Sequence, residues 1–142
     1  MSPAVSVRWG ILSTARINHL FLAGARQVEA AEMLAVSSRD PARARAFAQE
    51  HDIERSYDSH EALLADPDVE AVYIPLPNSL HIPWTIRALQ AGKHVLCEKP
   101  LSRHVAEVEN VFDVAEREGR LLMEAFMYRH NPQTARLAEL VD

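Results

Sequence analysis

Short apolar runs alternate along the chain with longer stretches in which apolar residues recur every three or four positions. The first run, VSVRWGIL at 5–12, is rich in β-branched residues and breaks at Ser13-Thr14, as a buried strand does. Ile17, Leu20, Phe21 and Ala25 then keep helical spacing over 17–26, and a second apolar run, 33–36, ends in Ser37-Ser38. These segments predict one β-α-β unit.

Asp40 followed by Pro41 marks a helix cap with proline at the first helical position, opening a helix over about 41–51. Asp58 with Glu61 three residues on predicts a capping box and a short helix ending near Asp66-Pro67. Residues 71–74 read as a strand, 82–91 as a helix stopped by Gly92, and 94–97 as another strand. Val105, Val108, Val111, Phe112 and Ala115 give 102–118 an amphipathic pattern that Gly119 closes. Residues 121–125 form a last strand, and Asn131-Pro132 opens a last helix. The alternation predicts an α/β fold, a Rossmann-like doubly wound parallel sheet with helices on both faces.

Composition narrows the field. With 142 residues and 48% of them hydrophobic, one domain can bury its own core. The formal net charge is -5, with Lys and Arg scattered among acids, which argues against a nucleic-acid partner. A single cysteine, Cys97, excludes an internal disulfide and fits a reducing compartment. No apolar run approaches the roughly 18 residues of a membrane span, and the first residues lack a signal-peptide layout. The expectation is a soluble, cytoplasmic protein with no membrane partner. No residue is assigned to a metal.

In open α/β sheets, ligands lie beyond the carboxyl ends of the strands. That rule selects Ser13, Thr14, Ala15, Arg16 and Ile17; Ser37, Ser38, Arg39 and Asp40; Pro75, Leu76, Pro77, Asn78 and His81; and Glu98, Lys99 and Pro100. The first group should cradle a pyrophosphate, although a G-x-G-x-x-G/A fingerprint laid there falls on Ser13, Ala15 and Asn18. An ordinary Ser-Thr helix cap explains the same residues. At the tip of the second strand, NAD enzymes place an acid for the ribose hydroxyls, whereas this chain has Ser37-Ser38-Arg39, suited to a 2'-phosphate. NADP is therefore expected over NAD, with NAD possible, unless Arg39 is merely a solvated charge. Lys99, fixed between a buried strand and Pro100, is the candidate catalytic group, with a structural lysine as the alternative.

The segment ALQAGKHVLCEKPL at 88–101 resembles the glucose-fructose oxidoreductase, inositol dehydrogenase and rhizopine catabolism (Gfo/Idh/MocA) family, whose E-K-P tripeptide is its most specific mark. RWGILSTARIN at 8–18, AVSSRDPARARAFA at 35–48, YIPLPNSLHIPWTIRAL at 73–89 and MEAFMYRHNPQ at 123–133 look like the same family's cofactor domain, the last closest to its D-xylose and dimeric dihydrodiol dehydrogenases. The resemblance implies hydride transfer between NADP and a carbon bearing a sugar or diol hydroxyl, with Lys99 polarising that oxygen or relaying its proton. It implies that Glu98 contacts the nicotinamide ribose, that Pro75, Leu76, Pro77, Asn78 and His81 line the cofactor path, and that Arg129 reaches the nicotinamide or substrate edge. His81 also has a packing or capping reading, and Trp84 reads as core.

The family continues into a second domain that carries an acid/base residue, much of the substrate pocket and the oligomer interface. The expectation is a dinucleotide-binding domain over 1–125, with 126–142 starting the connection to a substrate domain absent from this chain. Alone the chain should be inactive and should expose apolar surface around Phe126, Met127 and Leu137; the full-length protein should be a homo-oligomer. A free-standing, non-enzymatic NADP(H) sensor is the alternative. A phosphorylation-switched receiver needs paired acids after the first strand, where this chain has Ser13-Thr14.

Overall fold

The computed structural model describes residues 6–141. β1 (Val7–Leu12), α1 (Asn18–Ala25), β2 (Ala31–Ser37), α2 (Pro41–Glu50), β3 (Arg55–Tyr57), α3 (His60–Leu64), β4 (Ala71–Ile74), α4 (His81–Gln90), β5 (His94–Cys97), α5 (Val105–Glu118), β6 (Leu122–Glu124) and α6 (Pro132–Val141) follow in order. All six strands are parallel, in the order β3-β2-β1-β4-β5-β6. The chain reverses direction across the sheet between β1 and β4, which makes their carboxyl ends the topological switch point. Val5, placed in the first strand by its pattern, lies outside the described residues.

Strands buried on both faces need continuous apolar runs, and β4, AVYI, is buried at every position. Helices cover the two faces unequally. On one face Leu63 of α3, Ala88 and Leu89 of α4, and Val111 and Val114 of α5 close over Leu12, Val72, Ile74 and Val95. On the other, Leu22 of α1 and Phe47 and Ala48 of α2 pack on Ile11, Val36 and Tyr73. Gly10 in β1 makes room for the first of these layers, since a Cβ there would come within 2.7 Å of Leu63 Cδ2.

Local signals explain most helix ends. Asp40 accepts from the backbone N–H groups of Ala42 and Arg43, as its cap position predicts. Gly119 and Gly92 end α5 and α4 at φ values of 63° and 77°, which a side chain would strain. Asn131 caps α6 through the Gln133 N–H. Three expectations are corrected. The α3 cap is Ser59, which accepts from Ala62 N–H, rather than Asp58, because Ser59 is the residue with extended backbone one step before the helix. α5 starts at Val105 rather than Ser102, because the Ser102 hydroxyl instead closes a turn onto His104 N–H. The short strand β3 has no apolar run to announce it.

Among the described residues no helix is long and apolar enough to cross a membrane. No residue of α6 is buried. Met127 and Leu137 are about three-fifths exposed and Phe126 is half-buried, so the expected apolar surface is present.

Buried ionisable groups also shape stability. His60 is buried, its Nδ1 lies 2.7 Å from the Ser37 hydroxyl, and its ring meets Trp84 edge-on. Burial holds its pKa below the usual 6.5, with the nearby Arg39 charge adding to the effect. The unfolded chain therefore takes up a proton that the folded ring resists, so folding stability falls as pH drops from about 6.5 through the lowered folded value. The urea midpoint is expected to fall between pH 7.5 and 5.5, and to fall less in His60→Phe; identical pH dependence in the two proteins would contradict this account.

Candidate functional site

Three predicted loops meet at the carboxyl edge of the central strands. The β1–α1 turn begins at Ser13, whose φ of 128° is unusual for any residue but glycine. The turn is held from three directions. Ser13 Oγ accepts from Ala15 N–H at 3.2 Å, the same hydroxyl donates to the Pro75 carbonyl at 3.4 Å, and Asn18 Nδ2 donates to the Ser13 carbonyl at 2.8 Å. The residue ahead of α1, Ile17, provides no side-chain cap. The helix thus presents its amino end, with its positive partial charge, to the switch point. An ordinary Ser-Thr cap on α1 is not what these residues form.

At the tip of β2 the three predicted residues separate. Ser37 is fully buried, and its hydroxyl is engaged by the Ile11 carbonyl and His60, so it faces the core rather than a ligand. Ser38 Oγ accepts from Asp40 N–H at 3.2 Å, and Arg39 is exposed. The tip therefore offers one guanidinium and one largely buried hydroxyl, with no acid before Asp40, whose carboxylate caps α2.

Across the switch point, Pro75 and Leu76 are buried while Pro77 and Asn78 are exposed. His81 is 1% exposed, and its two ring nitrogens lie 2.7 Å from the carbonyls of Leu76 and Pro100. That places it between the two loops as a brace, the packing role that its position at the start of α4 allows. Beyond β5, Glu98 Oε1 accepts from the Tyr73 hydroxyl at 2.7 Å and Glu98 Oε2 accepts from Lys99 N–H at 3.2 Å. Burial and the Glu98 carboxylate push the Tyr73 hydroxyl well above its usual pKa, so it stays a donor. The Lys99 side chain is exposed and the Lys99–Pro100 peptide is cis. Leu101 N–H donates to Glu124 at 2.8 Å and ties this loop to β6. Cys97, one residue from Glu98, is no nucleophile, since burial pushes its thiol up to about 12.

Arg129 lies in a single helical turn, Met127–His130, after the carboxyl end of β6, and its neighbours Met127 and His130 line a groove together with Glu98. Trp84 is half-buried on α4, against His60 and Arg87, within the packed layer, as its spacing predicts. Tyr73 and His60 are the supporting residues that the sequence pattern did not single out, while Asn18, at the third fingerprint position, supports the turn through its side chain. Tyr73 had a signal, because a tyrosine inside an otherwise aliphatic buried run must find a partner for its hydroxyl. Beside Glu98 the sheet face left open by α1 forms a groove of about 710 Å³, lined by Phe21, Tyr73, Leu96, Met123 and Phe126 among others.

The family model described as an oxidoreductase family with an NAD-binding Rossmann fold (GFO_IDH_MocA) matches residues 7–126. The chain belongs to this Gfo/Idh/MocA family. It is 53% identical over 133 residues to a D-xylose 1-dehydrogenase (NADP(+)) of Haloferax volcanii, covering 94% of this chain and 41% of that protein. It is 36% identical over 139 residues to a trans-1,2-dihydrobenzene-1,2-diol dehydrogenase of Danio rerio, covering 96% and 42%. Among solved structures, a 3-ketoreductase from Actinomadura kijaniata in complex with NADP and TDP-benzene superimposes with a TM-score of 0.91 at 40% identity, covering 96% of this chain and 42% of that one. The chain thus spans about two fifths of the length of the relatives it matches. The sequence resemblance to the xylose and dihydrodiol dehydrogenases is borne out.

Proposed function

We propose that this chain binds NADP at the β1–β4 switch point and is the cofactor-binding part of a dehydrogenase that oxidises a sugar or diol hydroxyl. The observation that carries the reading is the tip of β2, where Ser38 and Arg39 stand in place of the acid that would repel a 2'-phosphate. The phosphate turn fits too. Ser13 takes a glycine-like backbone, and the amino end of α1 has no side-chain cap.

In this reading the N–H groups of the 13–17 turn, with the Ser13 and Thr14 hydroxyls, Ala15, Arg16 and Ile17 around them, hold the pyrophosphate. Pro75, Leu76, Pro77 and Asn78 form the wall of the path, and His81 braces it. Glu98, oriented by Tyr73, holds the nicotinamide ribose. The bound nicotinamide supplies hydride acceptance. Lys99 polarises the substrate oxygen or relays its proton, and Arg129 serves the substrate edge. The substrate pocket itself belongs to a further part of the protein, and the open groove beside Glu98 supports a packing surface there. On that view this chain alone binds NADP without turning over.

Titration of the purified chain with NADPH and NADH tests the reading. NADPH is expected to bind more tightly, and Arg39→Ala to lower its affinity by about 10–100-fold, the scale of one charge-assisted hydrogen bond, while leaving NADH binding unchanged. Equal losses for the two cofactors would remove Arg39 from the phosphate site.

A further inference from the structure

The helices α1 and α2 share one face of the sheet, and where they meet they bring together three metal-binding side chains unrelated to the crevice residues. His19 lies in the first turn of α1, Glu50 is the last residue of α2, and His51 follows it as the helix terminus. One ligand atom from each lies within 4.8 Å of the other two. The two imidazole rings stand 5.0 Å apart at 67°, and Phe47 packs on the His51 ring at 4.3 Å and fixes it.

His51 shows that this is more than a surface coincidence. Its side chain is only 10% exposed, and its Nε2 is buried without a hydrogen-bond partner among the described residues. The Glu50 carboxylate is 3.9 Å from it, beyond hydrogen-bond reach. Folded proteins rarely leave a buried polar atom unpaired, because desolvation without a replacement bond costs free energy. The unpaired nitrogen sits in the same cluster as a second imidazole and a carboxylate.

Two imidazole nitrogens and one carboxylate oxygen suit a borderline divalent cation far better than Ca²⁺ or Mg²⁺, which prefer oxygen. With bonds of about 2.0–2.1 Å, a tetrahedral ion holds its ligand atoms about 3.3 Å apart. His19 and Glu50 are exposed and free to close that distance, whereas His51 is already seated. The carboxyl end of α2 adds negative partial charge for a cation. Arg26, which donates to the His51 carbonyl at 3.0 Å, is the opposing positive charge nearby, and its guanidinium is occupied at that carbonyl.

We propose that His19, Glu50 and His51 form a binding site for one borderline divalent cation, best suited to Zn²⁺, that pins α1 to α2. The fourth position would be left to water.

Calorimetric titration of the 142-residue chain with ZnCl₂ alone tests this directly. One Zn²⁺ per chain is expected, with a rise in the thermal midpoint. His19→Gln and Glu50→Gln replace exposed side chains and leave the fold intact by circular dichroism. Each should weaken Zn²⁺ binding by more than about tenfold, the lower bound for losing even an outer-shell partner, and should abolish most of the thermal shift. Absence of Zn²⁺ uptake would overturn the proposal. So would uptake that neither variant weakens, which would place the ion on other histidines.

Discussion

Replacing Lys99 with alanine, in a longer protein that joins this domain to a substrate-binding part, is expected under the proposed function to lower kcat by about 10²–10⁴-fold, the usual span of a lost acid/base group. NADPH affinity should change little. β5 is buried at Val95 and Cys97, and its carboxyl end delivers Glu98 and Lys99 to the edge of the sheet that carries the 13–17 turn. Glu98 is fixed twice, by the Tyr73 hydroxyl and by the Lys99 backbone N–H, so the Lys99 backbone is positioned while its side chain remains exposed to a substrate. Steady-state kinetics against the substrate, with NADPH binding measured separately, would divide chemistry from cofactor binding. Unchanged kcat in Lys99→Ala would remove the catalytic role.

The second large effect concerns the other end of the same strand. Lys93 precedes β5 and is 5% exposed, with its Nζ donating to the carbonyls of Asp66 at 2.6 Å and Val69 at 2.8 Å. Burial lowers its pKa, against the opposing pull of the Asp66 carboxylate. The lysine therefore stitches the α3–β4 loop to β5 through two carbonyls. Lys93→Met keeps the chain length and loses both bonds. Its expected cost is about 1–3 kcal/mol in urea unfolding, from the Val69 carbonyl left unpaired, while the Asp66 carbonyl keeps the Val69 N–H at 3.3 Å. That is a large fraction of the roughly 5–15 kcal/mol that stabilises a domain. A loss below about 0.5 kcal/mol, the range of ordinary surface substitutions, would mean that water reaches the Val69 carbonyl.

The two lysines show what the sequence could and could not convey. Both flank the apolar run HVLC, and residue type alone does not separate an exposed Lys99 from a buried Lys93. Periodicity and punctuation located most of the helices and the long strands because burial on both faces writes continuous apolar runs, and because Asp40-Pro41, Gly92 and Gly119 act locally. β3 escaped notice because its three residues, RSY, are held at the sheet edge by pairing with β2 rather than by an apolar run. The loops of the crevice were legible from topology, since strand ends select them. Which side chains within a loop face outward was not. Ser37 turns inward to His60, and His81 turns inward to Leu76 and Pro100, because partners from distant segments claim their polar atoms. The Zn²⁺ site was hidden for the same reason, its ligands lying on two helices.

Binding of NADP at the carboxyl edge around β1 and β4, as proposed, is what everything else rests on. The most direct measurement is the set of backbone amide chemical shifts of the ¹⁵N-labelled chain during titration with NADPH. The largest changes are expected at Ser13 to Ile17, at Ser38 and Arg39, at Leu76 and Asn78, and at Glu98 and Lys99. Changes confined to the apolar groove around Met123 and Phe126, or none at saturating NADPH, would contradict it.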